Sequence, residues 1–187
     1  MSTSTSYHHG DLRAALLRAG AELLEKQGLA ALSLREVARR AGVSHNAPYR
    51  HFPNREALLV GLAAQGFRML ADGQASGGRE RGLAYVRFAL EHPQRFRLMF
   101  GGVLPIGEYA ELREEGRRAY QGLEDGFREL GEDARLAAAA AWSLVHGLSN
   151  LILDGHFAQA QRDFGGAEAF AGRVLAMTRF ARAQRPA

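Results

Sequence analysis

Apolar residues recur at helical spacing along this chain, and nowhere do they alternate with polar ones as a half-buried strand requires. That pattern confines the 187 residues to an all-α fold, long enough for one or two small domains with a real core. Leu12, Ala15, Leu16, Ala19 and Leu23 follow the i, i+3, i+4, i+7, i+11 pattern of an amphipathic helix. Composition agrees: 33 Ala, 23 Arg against one Lys and only five Pro favour helix. No cysteine is present, which excludes disulfides, thiolate metal sites and cysteine nucleophiles.

The punctuation of the chain is equally helical. Gly28 is placed to close the first helix. Ser33 and Glu36 form an S-x-x-E capping box that opens a second, ending at Gly42. Ser44 is expected to cap a third, short helix to about Phe52, with Pro48 near its start. Pro53 stops it, and Asn54 caps a fourth to about Ala75. Gln74 to Gly78 reads as a hinge. Beyond it helices are expected at about 79–91, 93–100, 108–130, 133–153 and 166–184, with a Gly-rich loop at 101–107. The expected domains are 1–55, an N-terminal arm and small helical unit, and 79–187, with helix 56–75 connecting them.

Charge is uneven along this frame. The net charge is +4, and +3 of it lies before residue 67. Within 33–55, Arg35, Arg39, Arg40, Arg50 and Arg55 face a single acid, Glu36. The 20 residues from Ser33 to Phe52 read as helix, tight turn, helix, with small Ala38 at the crossing, Gly42 in the turn and Val43 as the plug. The second helix of such a unit enters the major groove by its N-terminal residues, here Ser44, His45, Asn46, Ala47, Tyr49, Arg50 and His51. Arg can read guanine and Asn adenine. A local basic excess on this unit suits phosphate.

Tyr7 to Leu16, Ser33-Leu34-Arg35-Glu36-Val37-Ala38, Gly42-Val43-Ser44, Tyr49-Arg50-His51-Phe52 and Arg55-Glu56-Ala57-Leu58-Leu59 together resemble the TetR/AcrR family of bacterial transcriptional regulators. The resemblance implies an N-terminal three-helix helix-turn-helix domain joined to a C-terminal helical bundle that dimerises. It implies phosphate contacts at Ser33, Tyr49, His51 and Arg55, a DNA contact at Arg35, base contacts at His45, Asn46 and Ala47, and either role for Arg50. Phe52 would pack the small core.

The stretch from Tyr85 to Phe100 and Trp142-Ser143-Leu144-Val145-His146-Gly147-Leu148 resemble the subgroup named for a Trp-His-Gly motif. An effector pocket is expected at Phe96, Met99, Phe100, Trp142 and His146, although helical spacing suits plain core equally. The segment 134–153 is apolar on nearly all sides, so one face needs a partner copy. A dimer interface is expected at Leu144, Leu148, Phe170, Val174 and Met177. A twofold dimer would set its recognition helices about 34–36 Å apart and select a pseudo-palindromic operator in double-stranded DNA.

The expected function is a homodimeric repressor released from its operator by a small, largely apolar effector. A ligand-independent regulator or an activator is the alternative. A helical enzyme is the remote one, since H-E-x-x-H, P-loop and dinucleotide motifs are all missing. No cofactor or metal is expected. Met1 to Ser6 is polar, and extending the apolar run Leu136–Trp142 to Leu153 takes in Ser143, His146, Ser149 and Asn150. No membrane span is therefore expected, and the protein is expected in the cytoplasm.

Overall fold

The computed structural model describes residues 9–74 and 78–179. Tyr7 and His8 of the family resemblance, hinge residues 75–77, and Phe180 onward lie outside the described residues. Among those described, the chain forms α-helices joined by turns and no strand. In order these are α1 (His9–Gln27), α2 (Leu34–Arg40), α3 (Arg55–Gly73), α4 (Gly78–Glu91), α5 (Pro93–Phe100), α6 (Ala110–Asp125), α7 (Ala134–Leu153), α8 (Ala158–Asp163) and α9 (Ala167–Ala176).

α3 is the spine. Its residues Leu58 and Leu62 are fully buried with Leu16 and Leu23 of α1, and its later Phe67 and Leu70 belong to the same continuous core. α3 packs on α1, α4, α5 and α6, while α4 packs on α7 and α9. The close approach of α3 and α5 depends on Gly66: a Cβ there would collide with Met99 Sδ and press on the Arg95 side chain.

Two expected elements differ. The helix anticipated over 166–184 ends at Ala176, where Met177 and Thr178 donate to carbonyls three residues back and tighten the last turn. The helix anticipated over 108–130 stops at Asp125, and a separate 3₁₀ stretch follows, broken at Gly131 with φ 63°. Helix α8, preceded by Gly155, had no expectation attached to it.

Candidate nucleic-acid interface and adjoining cavity

The helix-turn-helix is built by local hydrogen bonds. The Ser33 hydroxyl accepts the Glu36 N–H at 3.2 Å and opens α2. Only half of the capping box forms, because the Glu36 carboxylate turns to Arg39 instead of the Ser33 backbone. That pairing lowers the Glu36 pKa and raises that of Arg39. At the other end Gly42 takes φ +69°. Gly42 N–H donates to Arg39 O at 3.3 Å and Val43 N–H to Ala38 O at 3.0 Å, which is the Schellman closure that a left-handed glycine permits. Val43 packs half-buried against the core.

The recognition segment is tighter than expected. The residues after the turn form a 3₁₀ helix, Ala47–Arg50, not an α-helix from Ser44. Pro48 stands in its first turn, where the missing N–H costs no hydrogen bond. The chain closes Ala47 N–H to Ser44 O at 3.0 Å and His51 N–H to Pro48 O at 2.9 Å. The Ser44 side chain does not cap it; the N-cap is Asn46, without a side-chain hydrogen bond. Pro48 and Phe52 are buried beneath.

This leaves Ser44, His45, Asn46, Tyr49 and Arg50 exposed in one short segment, with Tyr49 49% exposed and Ala47 half-buried. Ser33 and Arg35 are exposed on α2. Of the five arginines in 33–55, Arg39 pairs with Glu36 and Arg40 with Glu22, which lowers the Glu22 pKa. Arg35 and Arg50 have no carboxylate partner among the described residues. The uncompensated positive charge of the patch therefore rests on those two and on Arg55, which also has no carboxylate partner among the described residues.

Two of the expected phosphate ligands also turn part of the side chain to the protein, although Arg55 is exposed and keeps three N–H donors uncommitted. The Arg55 Nε and Nη2 donate to the carbonyls of Leu32 and Leu29, both at 2.7 Å. Arg55 thus clamps the turn that leads into Ser33. The His51 Nε2 is buried without a hydrogen-bond partner, so that edge of the ring faces protein.

On the far side of the spine lies a cavity of two adjoining compartments, about 330 Å³ and about 410 Å³. Gln74, Tyr85, Leu123 and Trp142 line both. The first also has Arg81, Leu144, Val145 and Thr178; the second has Phe67, Leu70, Phe100, Ile106 and Tyr120. Among the expected pocket residues, Phe100 and Trp142 reach the cavity. Phe96 and Met99 do not; they are buried behind it, in the core. His146 is also one layer back: its ring lies 4.9 Å from Phe100 and 5.3 Å from Phe96, centre to centre.

A part-buried polar chain joins wall and backing. Trp142 Nε1 donates to the Tyr85 hydroxyl at 3.2 Å, and that hydroxyl lies 2.8 Å from His146 Nδ1. Tyr85 is 2% exposed, so its proton needs an acceptor, and His146 Nδ1 supplies one. The imidazole proton then resides on Nε2. Burial lowers the His146 pKa and raises the Tyr85 phenol above its ordinary range, so both stay neutral. Tyr85, Gln74 and Arg81 were missed by sequence reasoning; the Tyr85-to-Phe100 match passed over the first of them.

The expected dimer residues are also redistributed. Leu148 and Phe170 are 6% and 8% exposed within the single chain, so they face its own core. Leu144 lines the cavity, and Val174 is half-buried against the core. Met177 is 88% exposed. The open face of α7 carries Leu136, Ala139, Ala140, Ser143 and Leu151 instead.

A basic helix-turn-helix standing on a helical bundle with a half-open cavity defines a DNA-binding transcriptional regulator. Residues 16–62 match the family model described as bacterial regulatory proteins, tetR family, and residues 79–184 match that of the tetracyclin repressor-like C-terminal domain. The chain belongs to the TetR family, whose members are regulators and not enzymes. It is similar to a protein of unknown function from Rhodococcus sp. RHA1, with 33% identity over 92% of this chain and 96% of that one, and a TM-score of 0.75. It is 28% identical over 140 residues to the nucleoid occlusion factor SlmA of Aliivibrio fischeri (strain MJ11), covering 69% of this chain and 71% of SlmA. A TetR variant from Acinetobacter baumannii AYE, solved in complex with minocycline, shares the fold at 23% identity, over 87% of this chain and 91% of that one, with a TM-score of 0.56.

Proposed function

We propose that this regulator is a homodimeric, cytoplasmic repressor, released from a pseudo-palindromic operator by a small, largely apolar effector. The observation that carries this reading is the span of α3. Its N-cap Asn54 follows directly on the recognition segment, while its Phe67 and Leu70, and its C-cap Gln74, line the cavity. At 1.5 Å per residue the helix is about 28 Å long, so a ligand at one end bears on the DNA-facing end through one rigid element. A ligand that prefers one of two α3 positions shifts the balance between them.

A second strut supports the reading. The Glu25 carboxylate of α1 accepts the backbone N–H groups of Gln94 and Arg95, each at 3.0 Å, and so holds the N-terminus of α5. Phe100, at the C-terminal end of α5, lines the cavity. The units in this reading are 1–55 for DNA and 79–187 for ligand and dimer, with 56–75 as the lever.

Within the DNA unit, Ser33 and Arg35 of α2 and exposed Tyr49 take phosphate. His45, Asn46 and Ala47 reach base edges, with Ser44 at the mouth of the turn. Arg50 serves either purpose. Dimerisation uses the open faces of α7 and the Met177 end of α9. Only 39% of the apolar window within 128–153 is buried in the protomer, which supports a second copy as its cover. The test is selection of bound duplexes from random DNA, followed by a compound screen for release. Paired half-sites about one helical turn apart and ligand-dependent release are expected. Unpaired sites, or DNA binding that no cavity ligand alters, would contradict it.

A further inference from the structure

The two compartments differ in chemistry, and the difference specifies a ligand. Among the described residues, neither is lined by an aspartate or glutamate, and the charged ones are Arg81 and Arg117. Arg117 is already neutralised: its Nη2 lies 2.7 Å from Glu114 Oε1. Arg81 is not. Its Nε and Nη1 donate to the carbonyls of Gln74 at 3.0 Å and Gly122 at 2.7 Å, and it has no carboxylate partner among the described residues. Those two carbonyls, at the C-terminal ends of α3 and α6, fix the guanidinium plane while its remaining N–H donors stay uncommitted. The neighbouring hydroxyl of Tyr85 is already used by Trp142 and His146.

The other compartment is a box of aromatic walls. Phe67 and Phe100 meet edge to face at 5.5 Å between ring centres, and Tyr120 and Trp142 at 5.9 Å. Aromatic faces alone attract a cation as well as a neutral body, but no carboxylate lines the cavity among the described residues and the Arg81 guanidinium of the adjoining compartment repels an ammonium group, so a neutral body is favoured. A neutral apolar body suits the box, and an anion suits the held guanidinium. Each compartment falls within the usual size of a small-molecule site, roughly 300–1,000 Å³.

Building on the ligand-gated reading above, we propose that the effector is an amphipathic organic acid, its aromatic body in the Phe67–Phe100–Tyr120 compartment and its carboxylate on Arg81. Calorimetric titration of the purified full chain, without DNA, tests this with three probes of one shape: naphthaleneacetate, naphthaleneacetamide and naphthylmethylamine. The acid is expected to bind about tenfold more tightly than the amide, the gain of one charge-assisted contact, and the amine to bind weakest. Arg81→Gln should lower the acid to the affinity of the amide and leave the amide unchanged, while Arg81→Lys keeps most of the preference. Thermal unfolding of both variants confirms that they fold. Equal binding of acid and amide, tightest binding of the amine, an acid preference surviving Arg81→Gln, or no binding of any probe would overturn the proposal. The acid is then added to the operator complex. Binding of the acid without DNA release would uphold the acid site and refute the release mechanism instead.

Discussion

Replacing Glu25 by alanine tests whether the DNA-binding unit and the cavity are mechanically joined. α5 begins at Pro93, which has no N–H, and its next two donors, Gln94 and Arg95, both go to Glu25 at 3.0 Å. The Phe96 N–H already reaches the His92 carbonyl at 2.8 Å. Glu25 therefore supplies the whole side-chain cap of α5 from another helix, and its charge sits at the positive end of that helix. Arg95 adds to the cost. It is 4% exposed with its Nε unpartnered; burial lowers its pKa, and attraction to Glu25 opposes that shift. Hydrogen bonds to a charged group are worth about 1.5–3 kcal/mol each, and water replaces part of that in a half-buried site, so about 2–3 kcal/mol is expected to be lost. For a chain of this size that lowers the melting temperature by about 5–10 °C. Thermal unfolding followed by circular dichroism measures it. Glu25→Gln keeps a neutral acceptor and should lose about half as much. A fall below about 1 °C for Glu25→Ala, or equal damage from Gln and Ala, would refute the reasoning.

Other perturbations have distinct signatures. Burial lowers the His146 pKa from 6.5, so as pH falls the unfolded chain takes up that proton first. Stability from this group is complete above about pH 6.5 and declines on acidification, and chemical denaturation across that range should show a shallower decline for His146→Gln. Gly66→Ala drives a methyl into Met99 and Arg95 and should cost about 1–3 kcal/mol, read as a lower denaturation midpoint. Arg35→Ala should weaken binding to all duplexes alike and reduce the logarithmic salt slope by about one, whereas Asn46→Ala should change sequence preference. Met177→Glu and Leu136→Glu, at exposed apolar positions, should shift sedimentation toward the monomer.

The elements set by neighbours along the chain were legible in its sequence. Ser33, Gly42 and Asn54 mark helix ends through bonds only a few residues long, and all three do so. Pro48 was visible too, but not that the short segment around it would close as a 3₁₀ helix. Helical spacing identified the inward face of α5 without separating Phe96, sealed in the core, from Phe100, one turn later at the cavity. Which inward residue meets a void depends on helices distant in sequence, and so do Tyr85, Gln74 and Arg81. The dimer face was hard to read for a related reason. A helix apolar all round, as α7 is, does not declare which side its own chain covers. Leu148 and Phe170 proved to be on the covered side. Arg55 had the charge for phosphate, but its second task, holding the Leu29 and Leu32 carbonyls with two of its five N–H donors, depends on a turn folded next to it.

The central claim is that the segment from Ser44 to Arg50 reads DNA as one of a symmetric pair. Titration of the purified protein against labelled duplexes from its own promoter region, at several salt concentrations, tests it most directly. The account predicts salt-sensitive, sequence-selective binding of two protomers to one pseudo-palindromic site. Binding that is equally tight to scrambled duplex, or that saturates at one protomer per site, would contradict it.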